Sequence, residues 1–402
     1  MTVKVELGFT EEGQGAPFFR LDDPVLGVLD SPTVFLGGAD VFVDVTEFFN
    51  NYTLTRGKSR ELDKYESGQA SIVFQNSTRA FDPTFEASPY FGQIVPKRAV
   101  RISNEDIVQF EGTVEDWNIA YQPGGQSLAV AQCFDSTSYL TGLTFGEVAF
   151  DEESTEERIN AVLDAISWSS ELRDIDSTVA TMGAGTAPPD TNVLEYLQTV
   201  ARSEPGDLFI SKDADVKFVG RNQAFTSEGL TFADDGTGVG YKTIEAVFGS
   251  EELFNRVTVS SSAGTVVKSN SSSIGEYGER DLVRPTFLSS IDELTQLAEF
   301  LVDRFDLPEF RFEGITLDLR AQDESTRTEI LDLELGDIVE VKFTPNDIPP
   351  QILRYGKIIG ITQNINPTSQ EIAFRLQTTE NALLVLDEQV FGKLDASNEL
   401  GW

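Results

Sequence analysis

The sequence predicts a mainly β protein with an α+β middle: two β-rich, barrel-like regions separated by a stretch of helices and a hairpin. Three observations carry this. From Thr55 to Trp117, strand-like runs (Gln69 to Gln75, Ala99 to Ser103, Ile107 to Val114) alternate with loops holding Gly68, Pro83, Pro89 and Pro96, the punctuation of antiparallel β structure. Between Ser154 and Val200 the apolar residues recur at helical spacing instead of alternating. From Ile244 the strand pattern returns, interrupted by one amphipathic helix.

Taken in order, residues 3 to 50 hold short β-like pieces at Val3 to Phe9, Val34 to Leu36 and Val41 to Val45, with a Gly- and Pro-containing loop from Glu11 to Pro17 after the first. After the Thr55 to Trp117 stretch, Gln122, Pro123, Gly124 and Gly125 form the turn of a hairpin that joins Trp117 to Tyr121 with Ser127 to Phe134. The first β region closes near Gly142. Ser154 and Glu157 make a capping box ahead of Ile159, Val162, Leu163 and Ile166, which predicts a helix over Thr155 to Trp168. Pro188 to Thr191 announce a second helix, carried by Val193, Leu194, Leu197 and Val200 and ended by Pro205 and Gly206. Leu208 to Ile210 and Val216 to Val219 then flank the polar turn Lys212 to Asp215 as a hairpin.

Beyond Ile244, Phe254 to Ser262 reads as a strand, followed by a Ser/Asn-rich turn and the segment Ser273 to Pro285. Ser290 and Glu293 form another capping box, and Ile291, Leu294, Leu297, Ala298, Leu301, Val302 and Phe305 trace one apolar face of a helix that Pro308 stops. A strand over Glu309 to Leu319 follows. Leu335 to Phe343, Tyr355 to Ile365 and Gln370 to Gln377, with a Pro-rich loop from Pro345 to Pro350, supply three closing strands of a small barrel. The expected organisation is a β region at 1–145, an α/β middle at 146–240, a second β region at 241–385, and a tail at 386–402.

The chain has 402 residues, enough for more than one core, since single cores rarely grow past roughly 250 to 300 residues. Thirty basic against 67 acidic residues give a formal charge of −37, which argues against a nucleic-acid or anionic-membrane partner held through phosphates. No run reaches the ~18 to 20 apolar residues of a spanning helix. The amino terminus MTVKVELGF also lacks the basic start and apolar centre of a signal peptide.

Histidine is absent, which removes Ser/His/Asp triads, Cys/His dyads and histidine-based zinc sites. The single cysteine, Cys133, lies in the apolar run Leu128 to Phe134 and reads as a buried, inert thiol. A carboxylate pair is what remains for catalysis, and neighbours such as Glu115 with Asp116 or Glu152 with Glu153 read as solvated acids. Asp213 and Asp215 lack the twelve-residue calcium-loop pattern with its closing glutamate, so they read as a solvated turn. The three tryptophans, Trp117, Trp168 and Trp402, are scattered rather than clustered as in a sugar-binding face. No catalytic, cofactor-binding or metal-binding residue is assigned.

The order RGKSRELDKYESGQASIVFQNSTRAFDP, then a Pro-containing loop, KRAVRI and FEGTVEDW resembles the minor tail and baseplate-hub proteins of long-tailed bacteriophages and phage-like particles. The helix-then-hairpin order up to Arg221 extends that resemblance. So does the succession from Asn255 to Leu319 of an NRV strand, an S-I-x-x-YG turn, an amphipathic helix and the strand EFRFEGITLDL.

The resemblance implies two β-barrel-like tube domains per chain, so that a homotrimer presents six quasi-equivalent units and matches a six-fold tail above to a three-fold tip below. It implies a virion structural protein at the tail tip, assembled in the host cytoplasm, closing the tail tube and lining part of the DNA-ejection channel. The implied partners are further copies of the chain, a distal tail protein ring, the tape measure protein and tail-fibre or central tip proteins. DNA would be met only in transit, with no membrane insertion, no enzymatic activity and no cofactor. A hexameric distal tail protein and a carbohydrate-binding or hydrolytic tip protein are the alternatives. The acidity fits either a channel lining that DNA does not adhere to or a saline habitat.

Overall fold

The structure, a computed structural model, describes residues 2–9, 41–122, 127–220 and 229–379, with two dipeptide strands, Ala382–Leu383 and Asn398–Glu399. The loop expected at Glu11 to Pro17, the strand at Val34 to Leu36, the turn residues Pro123 to Gly125 and most of the tail at 386–402 lie outside the described residues.

Alternating apolar side chains put one face of each long strand into a core, and those faces meet in one large sheet. From one edge its order is Thr243–Gly249, Glu309–Asp318, Gln370–Thr379, Ile352–Ile365, Phe49–Gly57, Glu66–Gln75, Leu128–Phe134, Ile107–Ala120, Ala99–Asn104, Val3–Phe9 and Val41–Asp44. Ile338–Phe343 branches off Ile352–Ile365 and also holds Thr231–Ala233. The strands of the first and last regions are therefore hydrogen-bonded to each other. The seam is the antiparallel pairing of Phe49–Gly57 with Ile352–Ile365, from Gly57 opposite Gly360 to Tyr52 opposite Ile365. Gly57 sits at φ +109° with Ile359 O only 2.2 Å from where a Cβ would stand, so the close approach at this seam requires glycine.

Among the described residues six α-helices decorate the strands: α1 Thr137–Thr141, α2 Thr155–Ala165, α3 Val193–Ser203, α4 Ser271–Tyr277, α5 Ile291–Phe305 and α6 Glu324–Asp332. Two further cores lie beside that of the large sheet. One gathers α1, α2, α3 and the Asp207–Ile210/Val216–Val219 hairpin around Leu163, Leu197, Val200 and Phe218. The other packs α5 through Leu294, Leu297, Leu301 and Phe305 on Val257 and Val259 of a three-stranded sheet.

Among the described residues the expected helices and strands are present, with the following differences. The first helix stops at Ala165 rather than Trp168, because Ser167 adopts φ +57° and breaks the turn. The Ser/Asn-rich stretch is not a turn but the strand Gly264–Ser269 followed by α4, whose start is capped by Asn270 Oδ1 accepting from the amides of Ser272 and Ser273. Several elements had no counterpart in the sequence reading, among them α1, α6, the central strand Phe49–Gly57 and short strands such as Val148–Phe150 and Thr231–Ala233.

The Ser154 capping box is complete: its hydroxyl accepts from Glu157 N at 3.2 Å, and the Glu157 carboxylate accepts from Ser154 N at 2.9 Å. At α5 the box is rewired. Ser290 Oγ accepts from Glu293 N at 3.3 Å, but the Glu293 carboxylate accepts from Thr181 N at 2.8 Å, tying the helix start to the middle region. Ser154→Ala is expected to cost about 1 kcal/mol, the usual value of a lost N-cap, read as a lower denaturant midpoint.

Candidate functional site

The residues that join the three cores are the strongest constellation in the chain, and most of them are charged. At the seam, Gly57 separates Arg56 and Lys58, which both point into the junction. Arg56 donates to Ile210 O at 2.9 Å and pairs with Glu334 at 2.9 Å; Glu334 in turn accepts from Lys212 N at 2.8 Å. Asp207, which opens the hairpin of the middle region, receives Lys58 Nζ at 2.7 Å on one oxygen and Lys357 Nζ on the other. Lys58 also stands 4.7 Å above the Tyr65 ring.

A second relay runs on the α5 side. Arg304 bridges Glu61 at 3.2 Å and Glu309 at 2.7 Å, while Arg311 holds Glu252, whose other oxygen accepts from Glu61 N. Burial alone would raise the Asp207 carboxyl, but Lys357 and Lys58 outweigh it and hold the group well below the usual carboxylate range. Such a carboxylate cannot carry a proton for acid catalysis at any ordinary pH.

A neutral clasp crosses the inside of the large sheet. Tyr52 O–H donates to Gln363 at 2.7 Å, Gln363 Nε2 donates to Gln109 at 2.6 Å, and Gln109 Nε2 donates to Leu331 O of α6 at 3.0 Å. Because all three side chains are buried, each bond removed would strand a polar group in the core.

The acids weighed in the sequence are not brought together as pairs. Glu115, the extra residue where the strand register shifts, pairs with Lys97, while its neighbour Asp116 is exposed. Glu153 pairs with Arg158 and Glu152 is exposed. Asp213 and Asp215 flank a tight turn, and no group of acids, cysteines or histidines among the described residues is arranged to hold a metal ion. Cys133 is buried and unbridged, and burial pushes its thiol far up, as expected of an inert residue. Trp117 stacks on Phe81 within a core cluster, and Trp168 donates to Leu172 O well away from it, so these two form no shared aromatic face; Trp402 lies outside the described residues.

Among the described residues no helix is long and apolar enough to cross a membrane. One edge of the large sheet is the strand Thr243–Gly249, paired among the described residues only with Glu309–Asp318, and Phe248 there is 70% exposed.

No family model and no curated protein matches the sequence. Solved structures do. A tail protein from Neisseria meningitidis MC58 superposes with a TM-score of 0.61 at 11% identity, over 95% of this chain and 98% of that one. The 43 kDa tail protein of prophage MuSo2 from Shewanella oneidensis gives 0.57 at 12% identity, over 84% and 95%. The E. coli c3393 protein, described as a type VI secretion component structurally similar to the T4 tail proteins gp27 and gp5, gives 0.52 at 8% identity, over 83% and 74%. The mainly β architecture is thus a fold shared with two phage-type tail proteins and with a type VI secretion component itself described as similar to T4 tail proteins.

Proposed function

We propose that the chain is a structural protein of a phage-type tail tip, a hub ring that closes the tail tube. The observation that carries this reading is the superposition on a tail protein across 95% of the chain. A junction of ion pairs and a buried amide clasp suits a load-carrying ring.

In this reading residues 1–145 and 241–385 supply two tube-like units and 146–240 the region between them, with the seam at Gly57 and Gly360 locking the two units in one chain. The ring is a homotrimer set between a distal tail protein ring and the central tip or fibre proteins, with the tape measure protein and then DNA passing through it. Its site is the virion tail tip, after assembly in the host cytoplasm. The open edge at Thr243–Gly249, with Phe248 projecting, offers each copy a surface for the next. The acidic excess keeps a polyanion moving through the lumen.

Mass measurement of the particle-extracted assembly tests the reading, and the expected result is three copies. A stable hexamer would transfer the assignment to the six-fold distal ring.

A further inference from the structure

Five basic side chains are buried among the described residues: Arg56, Lys58, Arg158, Arg284 and Arg311. Four reach a carboxylate, namely Arg56 on Glu334, Lys58 on Asp207, Arg158 on Glu153 and Arg311 on Glu252. Arg284, 8% exposed, makes neither an ion pair nor a hydrogen bond with the described residues. In a chain with 67 acids against 30 bases, a buried guanidinium without a carboxylate is the reverse of what composition would supply.

Its position makes the omission sharper. Arg284 lies on the strand Asp281–Pro285 opposite the buried Val259, on the other face from the exposed Val283. That strand runs into a segment held against the end of α3, where Ser203 Oγ accepts from Phe287 N at 2.9 Å and Tyr196 stacks on Phe287 at 4.7 Å.

A second arginine stands there. Arg202, in the last turn of α3, is half-buried and among the described residues bonds only within its own helix, to Gln198 O at 3.0 Å and Thr199 Oγ1 at 3.3 Å. The nearby carboxylate of Glu204 is engaged by the amides of Val179 and Ala180. The end of α3 contributes about half a negative charge, and Arg202 already takes that up. Burial first, and the like charge of Arg202 second, push the Arg284 guanidinium down to about 10. The guanidinium nitrogens of Arg284 are not completely sealed from solvent, so a small anion can reach them.

We propose that Arg284, with Arg202 beside it, is an oxyanion-binding site that takes the two-oxygen face of a carboxylate or phosphate. The planar fork of an arginine matches that face in a bidentate way, and the partly desolvated setting strengthens the pairing. The anion comes either from an acidic side chain of a second copy, for which this is a point of approach in an otherwise repelling surface, or from a free anion. The site stands independently of the hub reading, because it rests on charge pairing within one chain.

The test titrates the full chain with inorganic phosphate against sodium chloride at matched ionic strength, followed by calorimetry. Saturable binding is expected with phosphate and not with chloride. Arg284→Met should weaken it by roughly tenfold or more, the worth of a hydrogen-bonded charge pair, with a smaller loss for Arg202→Met. Arg354→Met, a change at another partly buried arginine, should bind as the parent does.

Arg284→Lys keeps the charge and loses the fork, so it should fall between, and it serves where the methionine variant fails to fold by circular dichroism. Sedimentation separates the sources. Self-association that weakens in Arg284→Met and in phosphate identifies an acidic side chain of another copy, whereas phosphate binding at unchanged mass identifies a free anion. Phosphate acting no differently from chloride, together with a mass indifferent to Arg284, would overturn the proposal, as would undiminished binding in both Arg284 variants.

Discussion

Asp207→Ala is expected to lower stability by about 3 to 5 kcal/mol, the range for removing one partner of a buried ion pair. Lys58 and Lys357 would both lose the carboxylate that holds them, and both are largely withdrawn from water. Because the three residues come from the middle hairpin and from the two strands flanking the seam, the loss should loosen the middle core against the sheet rather than melt either one alone. Urea unfolding followed by a probe in each core would show this as two separated transitions in place of overlapping ones.

The variant Asp207→Ala with Lys357→Met should recover part of the loss, since it removes one of the two stranded charges while Lys58 keeps the other. A loss within about 0.5 kcal/mol would mean that the junction is solvated and carries little. The pH dependence has a definite sign. The Asp207 carboxyl is held below its unfolded value by Lys357 and Lys58 against the opposing effect of burial, so its contribution is complete above about pH 4 and is lost as the pH falls below that. The difference between parent and Asp207→Ala should therefore shrink in acid.

Elements with a strong local rule were legible in the sequence. Ser154 with Glu157, and the apolar stripe from Leu294 to Phe305, specify helices without reference to anything distant, and both helices are present. The hairpin around Lys212 to Asp215 was legible for the same reason. By contrast α6 buries only Ile330 and Leu331, too few apolar positions to reveal a period. In Gly264–Tyr277, serine and asparagine favour turns locally, and tertiary pairing with Arg256–Ser261 overrides that preference.

The pairing of Phe49–Gly57 with Ile352–Ile365 was not legible because alternation tells which face a residue occupies and not which strand lies beside it. Tyr52 and Gln363 meet across 311 positions. The junction was hidden in another way. Among 67 acids a buried Asp207 reads like any solvated one, and the one available signal was Lys357 set inside the apolar run Tyr355 to Ile361. A lysine at that position must either snorkel to water or find a carboxylate, and here it finds Asp207.

Leu297→Ala should cost about 2 to 5 kcal/mol, the range for truncating a large side chain in a core. Leu297 is 1% exposed on the apolar face of α5, packed with Leu294, Leu301 and the strand residues Val257 and Val259. Where in that range the value falls depends on how far the small core can collapse on the cavity. With few residues in this core and a helix start pinned to Thr181 through Glu293, little collapse is available, which places the expected loss toward the upper half. Ile291, on the same helix and 46% exposed, provides the internal comparison, and Ile291→Ala should change stability by no more than about 0.5 kcal/mol beyond its helix-propensity gain. Both are read from the denaturant midpoint of the full chain. Equal effects at the two positions would mean that the face of α5 assigned to the core is open, and α5 would then have to be treated as a surface for another protein.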